Sequence, residues 1–170
     1  MSQGSASSAA ALAHGIGTEF RRRLLAEQEP RLRRCLALLG DDGVWRRPGR
    51  HGNSAGNLVL HVCGNTTQWI LATFGGVPDE RDRAAEFAAS GGLTATQLAD
   101  RLADVYQRAC TLVDRVTVDE LLRERLVQGR YRETGLSAIL HVLEHTAGHA
   151  YQIYAWTKQV AGVDLRFYDL

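Results

Sequence analysis

From Gly52 to Pro78 the chain carries no Asp, Glu, Lys or Arg, and this run constrains the fold more than any other feature. Asn, Ser, Thr, Gln and His punctuate it too often for a transmembrane span. Read as a helix from about Asn53 to Phe74, it has no charged side to offer to water, so it has to be buried on all sides. Gly75-Gly76 and Pro78 close it, and a polar loop rich in Arg and Asp follows to Gly92.

A buried helix needs others around it, and three more segments carry helical signals. The first is expected from about Thr18 to Leu39, with Pro30 kinking or splitting it and Gly40-Asp41-Asp42-Gly43 ending it. The third opens on Thr94 and Gln97, a T-x-x-Q capping box. Its apolar stripe runs through Leu98, Leu102, Val105, Ala109, Leu112 and Val116, leaving Asp100, Arg101, Asp104 and Arg108 outside. The fourth runs from about Thr134 to Val160, with only Glu144 and Lys158 charged. Between them, residues 117–133 read as a short helix at Asp119–Arg123 followed by an extended crossover. No strand pattern competes strongly. At 170 residues and 45% hydrophobic content, the expectation is one all-α domain, a four-helix bundle over residues 14–170, behind a disordered tail at 1–13.

Composition excludes several functions. A net charge of +1, with Lys158 the only lysine, argues against capture of nucleic acid or of an anionic membrane. The first ten residues lack the basic and apolar regions of a signal peptide. The cysteines Cys35, Cys63 and Cys110 form no C-x-x-C pair and suggest no disulfide framework, so a reducing cytoplasm is the expected compartment.

The chemistry sits on the two uncharged helices. His141, His145 and His149 recur every four residues, so adjacent members are offset by about 40° and about 6 Å along the axis. Two imidazoles so placed can take neighbouring positions on one metal ion. A third ligand has to come from elsewhere, and His61 lies mid-way along the second helix, with Asn65 and Trp69 continuing its stripe. A lone buried histidine is more often a hydrogen-bonded core residue than a ligand. Here, however, two buried helices present histidines in a chain that has only six. His14 lies near the tail and His51 in a Gly-rich loop, and neither is expected in the site. The H-E-x-x-H and Glu-x-x-His patterns of zinc proteases and di-iron bundles are absent.

At this point the residues resemble a known family. The stretch from Asn53 through His61 to Asn65 is similar to the second-helix motif of the DinB/YfiT-like superfamily of metal-binding bundles. Glu144-His145-Thr-Ala-Gly-His149-Ala-Tyr-Gln152-Ile153 resembles its last-helix motif, and Arg81 to Phe87 resembles a loop in one branch of it. Ala150-Tyr151 departs from the small residue and Gly that often precede the Gln, which bears on pocket shape. The resemblance implies an up-down-down-up four-helix bundle holding one divalent metal ion on His61, His145 and His149. Zinc is the first expectation; nickel, iron or manganese are alternatives. It leaves His141 outside the ligand set, as the candidate catalytic base. Asn65, Trp69 and Gln152 are expected to contact the bound cofactor, with Trp69 and Trp156 as candidate pocket walls.

The implied activity is S-transfer, with a low-molecular-weight thiol activated on the metal against a small-molecule substrate. Metal-dependent hydrolysis and a non-enzymatic, stress-response metal-binding role are the alternatives. The fourth helix also has a second apolar arc, through Leu136, Ile139, Leu140, Leu143, Ala147, Ala150 and Tyr154. A helix with two faces to cover suggests a homodimer.

Overall fold

A computed structural model of the chain describes residues 3–167, and helix dominates them. Helix α1, Gln3–Arg21, runs into a π-helical stretch, Arg22–Gln28, and then into α2, Glu29–Gly43. The disordered tail expected over residues 1–13 is therefore helical from Gln3 onward. Residues 1 and 2 lie outside the described residues. Alanine-rich sequence favours helix, and Ala13 and Phe20 are buried in the core, with α1 packing on α6 (Ala95–Val113). Pro30 neither breaks the helix nor splits it: the backbone stays right-handed helical at Arg21, Gln28 and Glu29. Proline lies in the first turn of α2, and the wider π turns ahead of it ease the clash of its ring with the preceding turn. Gly40, at φ +65°, ends the regular run. Asp41 just beyond it accepts a hydrogen bond from the Ala95 N–H at 2.8 Å, tying this corner to the start of α6.

The uncharged segment forms α3, Ala55–Thr66, followed by a second π-helical stretch, Thr67–Ala72, and the single turn α4, Thr73–Gly75. Every residue of α3 except Leu60 and Gly64 is buried. A capping box of Ser54 and Asn57 starts it. The polar loop expected beyond Pro78 contains a short helix, α5, Arg83–Ala88, capped by Asp82. Helix α6 opens on the Thr94–Gln97 capping box, and Leu98, Leu102, Val105 and Ala109 point into the core. A one-turn helix, α7, Val118–Leu122, follows.

The extended crossover after α7 is an antiparallel hairpin, β1 Glu124–Val127 with β2 Tyr131–Thr134, so the all-α expectation needs correcting by one small sheet. Positive φ at Gln128 and Gly129 turns the chain between the strands. With charged residues on both strands, alternation is too weak to stand out in the sequence. Helix α8, Gly135–Ala161, completes the domain, capped by Thr134 and ended by Gly162 in the left-handed conformation.

The long helices pack in a ring: α2 lies against α6 and α8, and α3 lies against the same two. Helix α3 and α8, which carry His61 and the His141, His145 and His149 series, are therefore neighbours. The three cysteines are free and buried, and burial pushes the Cys63 and Cys110 thiols up to about 12, well away from thiolate reactivity. Among the described residues no helix is long and apolar enough to cross a membrane.

Candidate metal centre

Packing of α3 on α8 brings one ligand-capable atom from each of His61, His145 and His149 to within 4.8 Å of one another. His61 Nε2 and His145 Nε2 are 3.0 Å apart. His61 is 5% exposed, and its Nδ1 lies 2.9 Å from Glu86 Oε2, on α5. Arg81 Nη2 is also 3.0 Å from Nδ1. A guanidinium can only donate, and its Nη2 already donates to Glu86 Oε2 at 2.9 Å and to the His61 carbonyl at 3.3 Å. Nδ1–H therefore donates to the carboxylate, and Nε2 presents its lone pair to the other two histidines. His149 is held the same way, Nδ1 donating to Gln152 Oε1 at 3.3 Å.

Electrostatics favour the neutral form of His145 and of His149. Burial, reinforced by His149 and His61, pushes His145 down to about 3. Burial also lowers His149, against the hydrogen bond to Gln152 and aided by His61 and Arg83. Burial opposes ionisation of Glu86, but hydrogen bonds from His61 and Arg81 outweigh it and hold its carboxyl below the usual range. His61 and His149 thus keep unprotonated Nε2 atoms, and His61 Nε2 faces His145 Nε2 at 3.0 Å. His61 is oriented by a carboxylate, the usual environment of a metal-bound histidine. His145 Nδ1 is buried with no hydrogen-bond partner. Imidazole nitrogens at these separations fit a divalent ion, and no carboxylate belongs to the set.

Glu86 reaches His61 because Gly64, three residues beyond it on α3, has no side chain. A Cβ there would stand 1.9 Å from Glu86 Oε1 and 2.9 Å from Arg81 Nε. Asn57 secures the other end of the contact, its Nδ2 donating to the carbonyls of Glu86 at 2.9 Å and Ala89 at 2.7 Å.

The family model of the DinB superfamily matches residues 24–153. The chain belongs to the DinB superfamily. A crystal structure of a DinB-like protein from Bacillus cereus superposes with a TM-score of 0.63 at 15% identity, covering 82% of this chain and 89% of that one. At that identity the likeness is one of fold. No curated protein is significantly similar in sequence.

Within this DinB-superfamily fold the residues singled out from the sequence divide into two groups. His61, His145 and His149 come together, with Gln152 beside His149. His141 stands one turn away: its Nε2 lies 3.2 Å from Asn65 Nδ2 and its ring stacks on Trp69, with centroids 3.7 Å apart. Burial lowers its pKa, opposed by Glu133 and Glu144. Asn65 and Trp69 thus hold His141 and, with it, line a cavity of about 460 Å³ beside His61 and His145. Trp156 is not part of it and lines a separate cavity with His51 and Gln152.

Glu86, Arg81 and Gly64 were not singled out as functional. Their only signals are a glycine one turn from His61 and the family-like Arg81–Phe87 segment. Neither discloses that a carboxylate follows the uncharged helix into its own interior. Glu133, on β2, also lines the cavity with His141, a placement that depends on the unexpected hairpin.

Proposed function

We propose that this chain is a metal-dependent thiol S-transferase of the DinB superfamily, with His61, His145 and His149 as the ligands of one divalent ion. The observation that carries the reading is the convergence of three imidazoles, without a carboxylate among the ligand atoms, beside a cavity open to a small molecule. Zinc suits an all-nitrogen set of three, and nickel, iron or manganese are alternatives. When bound, an ion with three neutral ligands supplies undiminished positive charge that acidifies a coordinated thiol or water. Around it, this chain's residues orient and exclude. Glu86 and Gln152 fix the tautomers of His61 and His149. Trp69 and Tyr131 offer apolar faces to an acceptor substrate. His141, with Asn65 on its Nε2, is the group we assign to proton handling.

Transfer is favoured over hydrolysis because a thiol needs little further activation once acidified. Hydrolysis asks for an efficient base, and His141 is tied to Asn65 and stacked on Trp69. The ring of contacts among α2, α6, α3 and α8 supports the up-down-down-up bundle, and the unpaired buried cysteines suit a reducing cytoplasm.

Metal analysis of untagged protein never exposed to chelating resin, coupled to consumption of low-molecular-weight thiols in the presence of 1-chloro-2,4-dinitrobenzene, tests the proposal. Stoichiometric metal and thiol consumption that disappears with a chelator are expected. Stoichiometric metal with no turnover of any thiol would leave the metal-binding role in its place. Absence of metal at any pH above 7 would remove the reading altogether.

A further inference from the structure

Among the arginines facing the cavity beside the histidines, two have very different surroundings. Arg81 is consumed: its guanidinium donates to Glu86 at 2.7 and 2.9 Å and to Gln68 Oε1 at 3.0 Å. Arg83 is exposed, lines the same cavity, and has no carboxylate partner among the described residues. Its guanidinium is held 4.9 Å from the centroid of the Phe87 ring, and Phe87 in turn packs on His61 at 4.7 Å. A cation placed on an aromatic face keeps its fork of N–H donors free for another group. It stands one ring away from a candidate metal ligand.

The opposite wall is aromatic. Trp69 packs one face on His141, and Tyr131, from the hairpin, lies over it at 6.4 Å with an interplanar angle of 25°. A planar group stacked between two rings needs about 7 Å between their planes, so Tyr131, which is 43% exposed, has to swing outward to admit one. Two deeply buried side chains lining the cavity also carry polar atoms without a partner, Asn65 Oδ1 and Trp69 Nε1. An unmatched acceptor and an unmatched donor in one wall point to a polar ligand rather than to a purely apolar one.

We infer that this cavity binds a planar carboxylate, its π-face between Trp69 and Tyr131 and its carboxylate on the Arg83 guanidinium. The inference names the acceptor-substrate class of the site proposed above and rests on that reading for its role in turnover, though not for binding itself. A singly charged carboxylate fits better than a phosphate dianion, because Glu133 lines the same cavity and one guanidinium fork matches one carboxylate.

Ligand-observed NMR titration of the metal-loaded and the metal-free protein with benzoate, benzamide and cyclohexanecarboxylate tests it. Benzoate should bind both forms, and benzamide and Arg83→Gln should each weaken binding about tenfold or more, the effect of losing a charge-assisted fork. Tyr131→Ala and the non-planar cyclohexanecarboxylate should each cost severalfold. Equal benzoate affinity in wild type and Arg83→Gln, benzamide binding as tightly as benzoate, or no binding of benzoate up to about 10 mM would overturn it. Binding that needs the metal and ignores Arg83 would also overturn it, since the carboxylate would then be a metal ligand. Arg83-dependent binding in a protein that takes up no metal would leave this inference standing while the transferase reading fails.

Discussion

A single missing side chain decides how His61 is used. With Gly64 beside it, Glu86 can reach His61 Nδ1 inside a helix that carries no charge of its own. Glu86→Gln keeps the shape of this contact but removes its charge, and metal affinity measured by chelator competition should fall by about 10- to 100-fold. Gly64→Ala forces the carboxylate away and should lower affinity by a similar factor, with the double variant Gly64→Ala/Glu86→Gln little worse than either single one. Additive losses would show that Gly64 acts by some other route. Removing His61, His145 or His149 should abolish stoichiometric metal. His141→Ala should retain it, because its Nε2 is engaged with Asn65 and its ring with Trp69. Equal metal loss in that variant would show the division of the histidines to be wrong.

At the scale of elements, α5 is the piece that completes the site, and it is too short to be stable by itself. It is held by Asp82 at its start and by Asn57 reaching from the first turn of α3. Asn57→Ala leaves the carbonyls of Glu86 and Ala89 without this donor in a buried place. It should destabilise the protein by about 1–3 kcal/mol in urea unfolding and also weaken metal binding by loosening Glu86. Thr94→Ala, at the exposed capping box of α6, should cost about 1 kcal/mol and leave metal affinity unchanged. The contrast separates a cap that only starts a helix from one that also carries the site. These elements differ in legibility for the same reason. The box at Thr94 and the uncharged run of α3 are local patterns, whereas α5 is anchored by a residue 29 positions away.

For the whole molecule, pH acts through histidines kept neutral by the fold. His145 is pushed down to about 3, and His141 and His149 are lowered from 6.5. Depressed values mean that the unfolded chain binds protons the folded one refuses. The metal-free protein should therefore be at full strength above about pH 7 and lose stability as pH falls from about 6.5 toward 3. A histidine of this kind accounts for at most about 2 kcal/mol at pH 5. Glu86, also lowered, adds to the loss below about pH 4.5. Thermal melts of metal-free protein across this range should show the slope, shallower in His145→Ala; a flat profile would contradict the buried neutral cluster. The outer face of α8 bears on assembly. Ile139, Ala150 and Tyr154 are covered by the chain's own helices, while Leu140 is 55% exposed and Tyr151 63%. They line a groove of about 610 Å³ with Arg23, Glu27 and Glu144. We expect a homodimer across this face, with mass by light scattering at micromolar concentration near twice 18.7 kDa. A monomer that persists in concentrated samples would rule it out.

By itself the sequence determined four of the helical segments, that the second must be buried, and that histidines on the second and fourth belong together. Each of these follows from periodicity and from the absence of charge over a dozen or more neighbouring residues, and burial of an uncharged helix has no alternative solution in water. Only the tertiary structure decided that residues 3–13 continue the first helix, that residues 124–134 form a hairpin, and that Tyr131 and Glu133 come with it to the cavity. It alone brought Glu86 and Arg81 onto His61 and set Arg83 over the Phe87 ring. Those placements depend on a glycine, an asparagine and two carbonyls meeting across separate elements. No local pattern encodes such a meeting, because its free energy exists only once the helices are packed.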